Sequence, residues 1–186
     1  MRACLVLLSA IGVVGTAGVA SAQAQPFRPS FSIQAAGGPT AVNSGHTISA
    51  AVGFSPWSRV TFLLDAQRTE TSPRIANNNG SPYTDLRGGT MEALSGEVRV
   101  TFWPVNRVTP YVLAGFGGGN TRPTVNEVFP DPVTNKVAFI IFGAGVHVPV
   151  GNRFSVFGDF RVLGGPEGYD SMIVMYPVRF GMGWRF

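Results

Sequence analysis

Cysteine is nearly absent. The one thiol among the 186 residues, Cys4, lies in the N-terminal leader, so a disulfide framework or a cysteine-based metal site is excluded. Histidine occurs only as His46 and His147, and two isolated imidazoles without cysteine cannot build a zinc site. Beyond the leader no stretch approaches the roughly 20 apolar residues of a membrane-spanning helix. Basic runs are missing too. The formal charge of +4 comes from Arg and Lys residues spread singly along strands and loops, which speaks against nucleic acid as a partner.

The leader has its own logic. Arg2 supplies a positive start, residues 4–20 form an apolar run too short to span, and Ala22-Gln23-Ala24 offers small residues to signal peptidase. Residues 1–24 are therefore expected to be a cleaved signal peptide, cut after Ala24 or, alternatively, Ala22. Cys4 follows only Met-Arg-Ala, so no lipid anchor is expected. Residues 25–186 are enough for one exported domain.

What the sequence has in quantity is glycine (24) and phenylalanine (14), and it has alternation. In the last segment Tyr176, Val178, Phe180, Met182, Trp184 and Phe186 are large and apolar, while Pro177, Arg179, Gly181, Gly183 and Arg185 intervene. A period of two puts the sets on opposite faces of a strand. The same pattern holds around Asp65, around Glu97 and Arg99, and around Asp159 and Arg161.

A turn signal occurs three times, around Pro56 and Arg59, Pro104 and Arg107, and Pro149 and Arg153. The prolines are 48 and 45 residues apart. Proline cannot donate to a strand ladder and Asn or Gly tolerates tight turns, so each unit is a short connection. Between them lie long loops near 38–45, 69–90, 120–136 and 164–171. Seven connections imply eight strands, near 30–37, 46–55, 60–68, 91–102, 109–119, 137–148, 153–163 and 172–186. Two are less regular: residues 138–146 are apolar almost throughout, and residues 91–94 alone could begin a helix. Trp57, Trp103 and Trp184 would fall at one rim, as an interfacial girdle does.

The charges decide which way the barrel faces. Asp65, Glu97, Arg99, Asp159, Arg161, Arg179 and Arg185 all share a face with small and polar residues, and the opposite faces carry almost none. A soluble lipocalin-like carrier would show that apolar face to water, a very large exposed patch. The expected fold is thus an all-β, eight-stranded antiparallel up-and-down transmembrane β-barrel.

Pro110-Tyr111-Val112-Leu113-Ala114-Gly115-Phe116-Gly117, the Pro-x-x-Arg turns and the terminal Trp-Arg-Phe carry a resemblance. The mature chain resembles the small outer-membrane β-barrel domain family of OmpA, OmpX and OmpW types. The resemblance implies a Gram-negative outer membrane reached through the periplasm, with short turns periplasmic and long loops outside. It implies partners: outer-membrane lipids, lipopolysaccharide and an insertion machinery that reads the last strand, here Phe180, Met182, Trp184 and Phe186. OmpA-type proteins often carry a peptidoglycan-binding domain after the barrel. This sequence ends at Phe186, so tethering of that kind is not expected.

Eight strands leave an interior that side chains can fill, and inward Arg–carboxylate pairs would satisfy one another there. A structural plug is the leading expectation; a narrow or gated pore, or an OmpW-like path for small apolar molecules, is the alternative. Gly115, Gly117, Gly119, Gly143, Gly145, Gly181 and Gly183 could make room for water or for arginines. Lipid A deacylases of this shape use a His-x-Ser arrangement, which neither His46-Thr47-Ile48-Ser49 nor His147-Val148-Pro149 matches. Gly115-Phe-Gly-Gly-Gly119 lacks the Lys-Ser/Thr of a phosphate loop. No catalysis and no cofactor are expected. The function expected is structural, or interaction with a surface ligand or host factor through the loops. Arg74, Tyr83, Arg87, Arg122 and Phe129 are the candidate contacts.

Overall fold

Alternation becomes pairing. The computed structural model describes residues 29–41, 45–71, 74–75, 85–86, 88–104, 107–124, 134–167 and 171–186. The expected signal peptide lies outside the described residues, as do Tyr83, Arg87 and Phe129. The strands are β1 (Ser30–Ala41), β2 (Gly45–Trp57), β3 (Val60–Thr71), β4 (Arg74–Ile75), β5 (Asp85–Leu86), β6 (Gly89–Thr101), β7 (Thr109–Pro123), β8 (Asn135–Val150), β9 (Phe154–Glu167) and β10 (Ser171–Arg185). β4 and β5 pair only with each other, inside the long β3–β6 connection. The other eight form a closed antiparallel meander, in which β1 also pairs with β10. Closure leaves these eight strands without a free edge.

The barrel strands run longer than the sequence pattern suggested. They have 12 to 16 residues where about 9–11 cross a bilayer. Most of the added residues are at the loop end, where β1 continues to Ala41, β3 to Thr71 and β9 to Glu167; at the turn end β2 continues to Trp57 and β8 to Val150. Inward hydroxyls hold the first of these together. Thr40 and Thr47 are 3.2 Å apart and Thr47 and Thr69 2.9 Å, a chain of hydrogen bonds across β1, β2 and β3. On the outside of the same level Arg68 meets Glu70 at 2.9 Å and Glu92 at 3.5 Å, and His46 lies 3.6 Å from Glu70.

The tight-turn chemistry is in place at the other end. Gly151 has φ +79°, the left-handed region open to a residue without Cβ. Arg107, φ 72°, takes the same conformation in the second turn. Aromatic residues ring this end: Phe31 packs on Phe54, Phe154 meets Trp184 edge-on at 4.8 Å, and Arg59 covers Trp103 at 4.0 Å. Trp57 and Trp103 are exposed beside them.

The two faces of each strand differ sharply. Phe116 is 74% exposed and Phe180 65%, whereas Arg161 and Arg179 are each 1% exposed. At mid-height the outer wall is apolar, and Asp65, Glu97, Asp159, Arg161 and Arg179 are inside. Residues 91–94 and 138–146 are both strand. β8 is apolar on both faces because its inward Val137, Phe139 and Ile141 join Met91, Tyr111, Leu113, Leu163 and Met175 in a buried cluster. The lumen is therefore not polar throughout. Its loop-end half has an apolar wall on β6–β10, facing the threonine chain of β1–β3.

Candidate functional site in the barrel lumen

Midway along the barrel the inward positions of β3, β6, β9 and β10 carry Asp65, Glu97, Asp159, Arg161 and Arg179. All five are buried. Arg179 and Asp159 are paired residues of adjacent strands, joined through Nε–Oδ1 (3.0 Å) and Nη2–Oδ2 (3.1 Å). Arg179 Nη1 reaches across the lumen to donate to Asp65 Oδ2 (2.8 Å) and Ser49 Oγ (2.7 Å). Arg161 bonds Glu97 and lies 3.3 Å from both Asp65 and Asp159. Two planar guanidiniums thus hold three carboxylates, and Ser95 (3.1 Å to Glu97) and Tyr111 (3.0 Å to Asp159) donate two further bonds. Among the described residues Asp65 Oδ1, Glu97 Oε2 and Arg161 Nη2 have no hydrogen-bond partner. Guanidinium suits this place because its fixed fork of donors can serve several oxygens at once.

Glycine makes the space. A Cβ on Gly145 would lie 2.7 Å from both Asp159 Cβ and Tyr111 Cζ; one on Gly143 would lie 3.2 Å from Arg161 Cγ. On Gly115 it would meet Glu97 Cγ at 3.0 Å, and on Gly117 the Phe139 ring at 2.7 Å. These lumen glycines accommodate side chains.

Arg99 stands apart from the network. It is 4% exposed, yet among the described residues its side chain hydrogen-bonds only Gln34 Oε1 (3.1 Å), and its guanidinium stacks on Tyr111 (4.4 Å) and near Phe157 (5.4 Å). Below it opens a cavity of about 330 Å³ at the turn end, lined by Gln34, Arg99, His147, Arg153 and Arg185 among hydroxyl side chains. Arg185, expected with the inward charges, belongs to this open mouth and is exposed. His147 is a half-buried wall residue of the same cavity, while His46 is exposed on the outer face. Arg74 lies in β4; Arg122 is exposed near the loop end of β7. Phe180, Met182 and Phe186 are exposed on the outer wall with Trp184 half-exposed among them.

Sequence reasoning did not select Tyr111, Ser49 or Ser95. Parity alone placed Tyr111 with the lumen glycines of β7 and Ser95 with Glu97, so that signal was present. Ser49 gave none, because which hydroxyl meets a guanidinium depends on register across several strands. Among the described residues no group of three or more His, Cys, Asp and Glu is placed to hold a metal ion.

An apolar wall around an ion-paired interior defines the class: a small barrel built inside-out, as membrane barrels are. The chain resembles small eight-stranded outer-membrane barrels of solved structure. The N-terminal β-barrel domain of Pseudomonas aeruginosa OprF matches with a TM-score of 0.58 at 18% identity, over 84% of this chain and 97% of that one. Neisserial surface protein A (NspA) gives 0.61 at 11%, over 85% and 96%. A major outer membrane protein from Thermus thermophilus gives 0.54 at 19%, over 86% and 100%. At such identities the likeness is one of fold. No protein-family model and no curated protein matches the sequence.

Proposed function

We propose that this protein is a non-enzymatic outer-membrane barrel serving envelope integrity or surface interaction through its long connections, with a closed lumen. The observation that carries the reading is the buried Arg161–Arg179 network, which joins β2, β3, β6, β9 and β10 across the interior. The apolar outer wall supports the membrane as its solvent, and the match to barrels described as outer-membrane and surface proteins supports the outer membrane. In this reading the turns face the periplasm, the loops face outward, lipopolysaccharide surrounds the loop end, and the insertion machinery engages β10. A surface ligand or host factor would bind the loops. A narrow pore is the second reading, favoured by the turn-end cavity that reaches inward to Arg99.

The test has two parts. The unheated protein from an outer-membrane fraction is expected to migrate faster on a gel than the boiled form. In planar bilayers the folded barrel is expected to show no conductance or rare small openings. A detergent-free periplasmic protein would overturn the membrane assignment. Steady conductance would replace the plug with the pore.

A further inference from the structure

The turn-end cavity has a charge surplus that the network does not consume. Arg161 and Arg179 together contact Asp65, Glu97 and Asp159, the buried carboxylates among the described residues. Arg99, Arg153 and Arg185 line the cavity, and among the described residues no carboxylate does. Among the described residues none of the three has an acidic partner within ion-pair distance. The rim arginines are coupled through the backbone, Arg185 N donating to Arg153 O at 2.9 Å, which holds both at one side of the mouth.

Arg99 is the informative member. Its side chain is buried, among the described residues its Nε has no hydrogen-bond partner, and the residue lines the cavity. A buried guanidinium without a counter-charge is costly, and an anion held in the adjoining cavity would supply one. Gln34 and the aromatic faces of Tyr111 and Phe157 hold the guanidinium plane in place before any ligand arrives. Ser30, Ser32 and Thr109 add neutral hydroxyl donors around the wall.

We propose that this cavity is a binding site for a small phosphate-class oxyanion, inorganic phosphate or a soluble phosphomonoester, entering from the turn end. Three guanidiniums and several hydroxyls offer more donors than a monovalent carboxylate can use, and about 330 Å³ has room for a multiply charged oxyanion or its phosphomonoester. Membrane lipid is the wrong source, because the strands of the barrel stand between this space and the bilayer.

The full barrel is folded in a phosphate-free nonionic detergent. Inorganic phosphate is then titrated by calorimetry against chloride at matched ionic strength, while NMR follows the Arg99 Nε–H. Saturable one-site binding with a shift of the Arg99 resonance is expected. Arg185→Gln, at the exposed rim, and Ser32→Glu, which adds a carboxylate to the wall, are each expected to weaken it about tenfold or more, as loss of a charge-assisted contact does. Gel migration confirms that both variants fold. Glycerol phosphate should compete; phosphatidylglycerol nanodiscs in place of detergent should not. Non-saturable binding, or binding that neither substitution changes, would overturn the site, and competition by the lipid headgroup would overturn its soluble source.

Discussion

Arg179 and Asp159 are paired residues on adjacent strands, and their side chains meet through two parallel N–H···O bonds of 3.0 and 3.1 Å. The same guanidinium reaches Asp65 on the far wall. One side chain therefore ties the β9–β10 hairpin to β3 across the lumen.

Removing it should be costly. Arg179→Ala leaves two buried carboxylates short of a partner, and is expected to destabilise the barrel by about 3–5 kcal/mol. Arg179→Lys keeps the charge but gives up the fork, so an intermediate loss is expected. Urea unfolding in lipid vesicles measures both. Equal stability of wild type and Arg179→Ala would show that the network does not brace the wall.

Gly145 tests whether the glycines accommodate side chains or water. A methyl group there would lie 2.7 Å from Asp159 and from Tyr111, so Gly145→Ala is expected to cost about 1–3 kcal/mol through overpacking. Gly96 has nothing within 4 Å of its missing Cβ, and Gly96→Ala should shift stability by no more than about 0.5 kcal/mol. If the two variants melt alike, none of Asp159, Tyr111 and the Gly158 carbonyl confines the space beside Gly145.

How much of this was legible before the structure turns on particular residues. Period-two alternation placed Asp65, Glu97, Asp159, Arg161 and Arg179 on one face, because parity along a strand is a local property. Pro56, Pro104 and Pro149 marked the short turns for an equally local reason. What alternation could not supply was height along the barrel. Arg99 and Arg161 share the inward face, yet one stacks on Tyr111 above an open cavity and the other is locked among three carboxylates. That separation depends on the stagger between neighbouring strands. β8 shows the converse: its two apolar faces obscured the alternation because the lumen beside Phe139 and Ile141 is itself apolar.

The inside-out assignment can be tested on a single outward residue. Phe116 sits on β7 opposite Gly96 on one side and Ile140 on the other, 74% exposed on the outer wall. In lipid, Phe116→Arg is expected to cost about 2–4 kcal/mol, the depth-dependent cost of a cation on the bilayer-facing wall of a barrel. Arg122→Ala, on the outer face near the loop end, should change stability by less than about 0.5 kcal/mol. Vesicle unfolding separates the two. A barrel whose outer wall met water would tolerate Phe116→Arg as readily as Arg122→Ala.

Closure of the lumen rests most directly on Arg161. It bonds Glu97 from β6 and lies 3.3 Å from Asp65 of β3, while 3.3 Å along its own strand stands Asp159. Shortening it in Arg161→Ser removes the bulk from mid-lumen and leaves Glu97 and Asp65 without that cation, so water must enter to solvate them. Two signals should move together: stability falls, and cation-selective openings appear in planar bilayers where the wild type is silent. Glu97→Gln is the matched control, because it lowers the carboxylate charge while keeping the side chain's volume. That variant should stay closed. Openings in both variants would assign closure to charge balance, and openings in neither would assign it to the apolar cluster at the loop end.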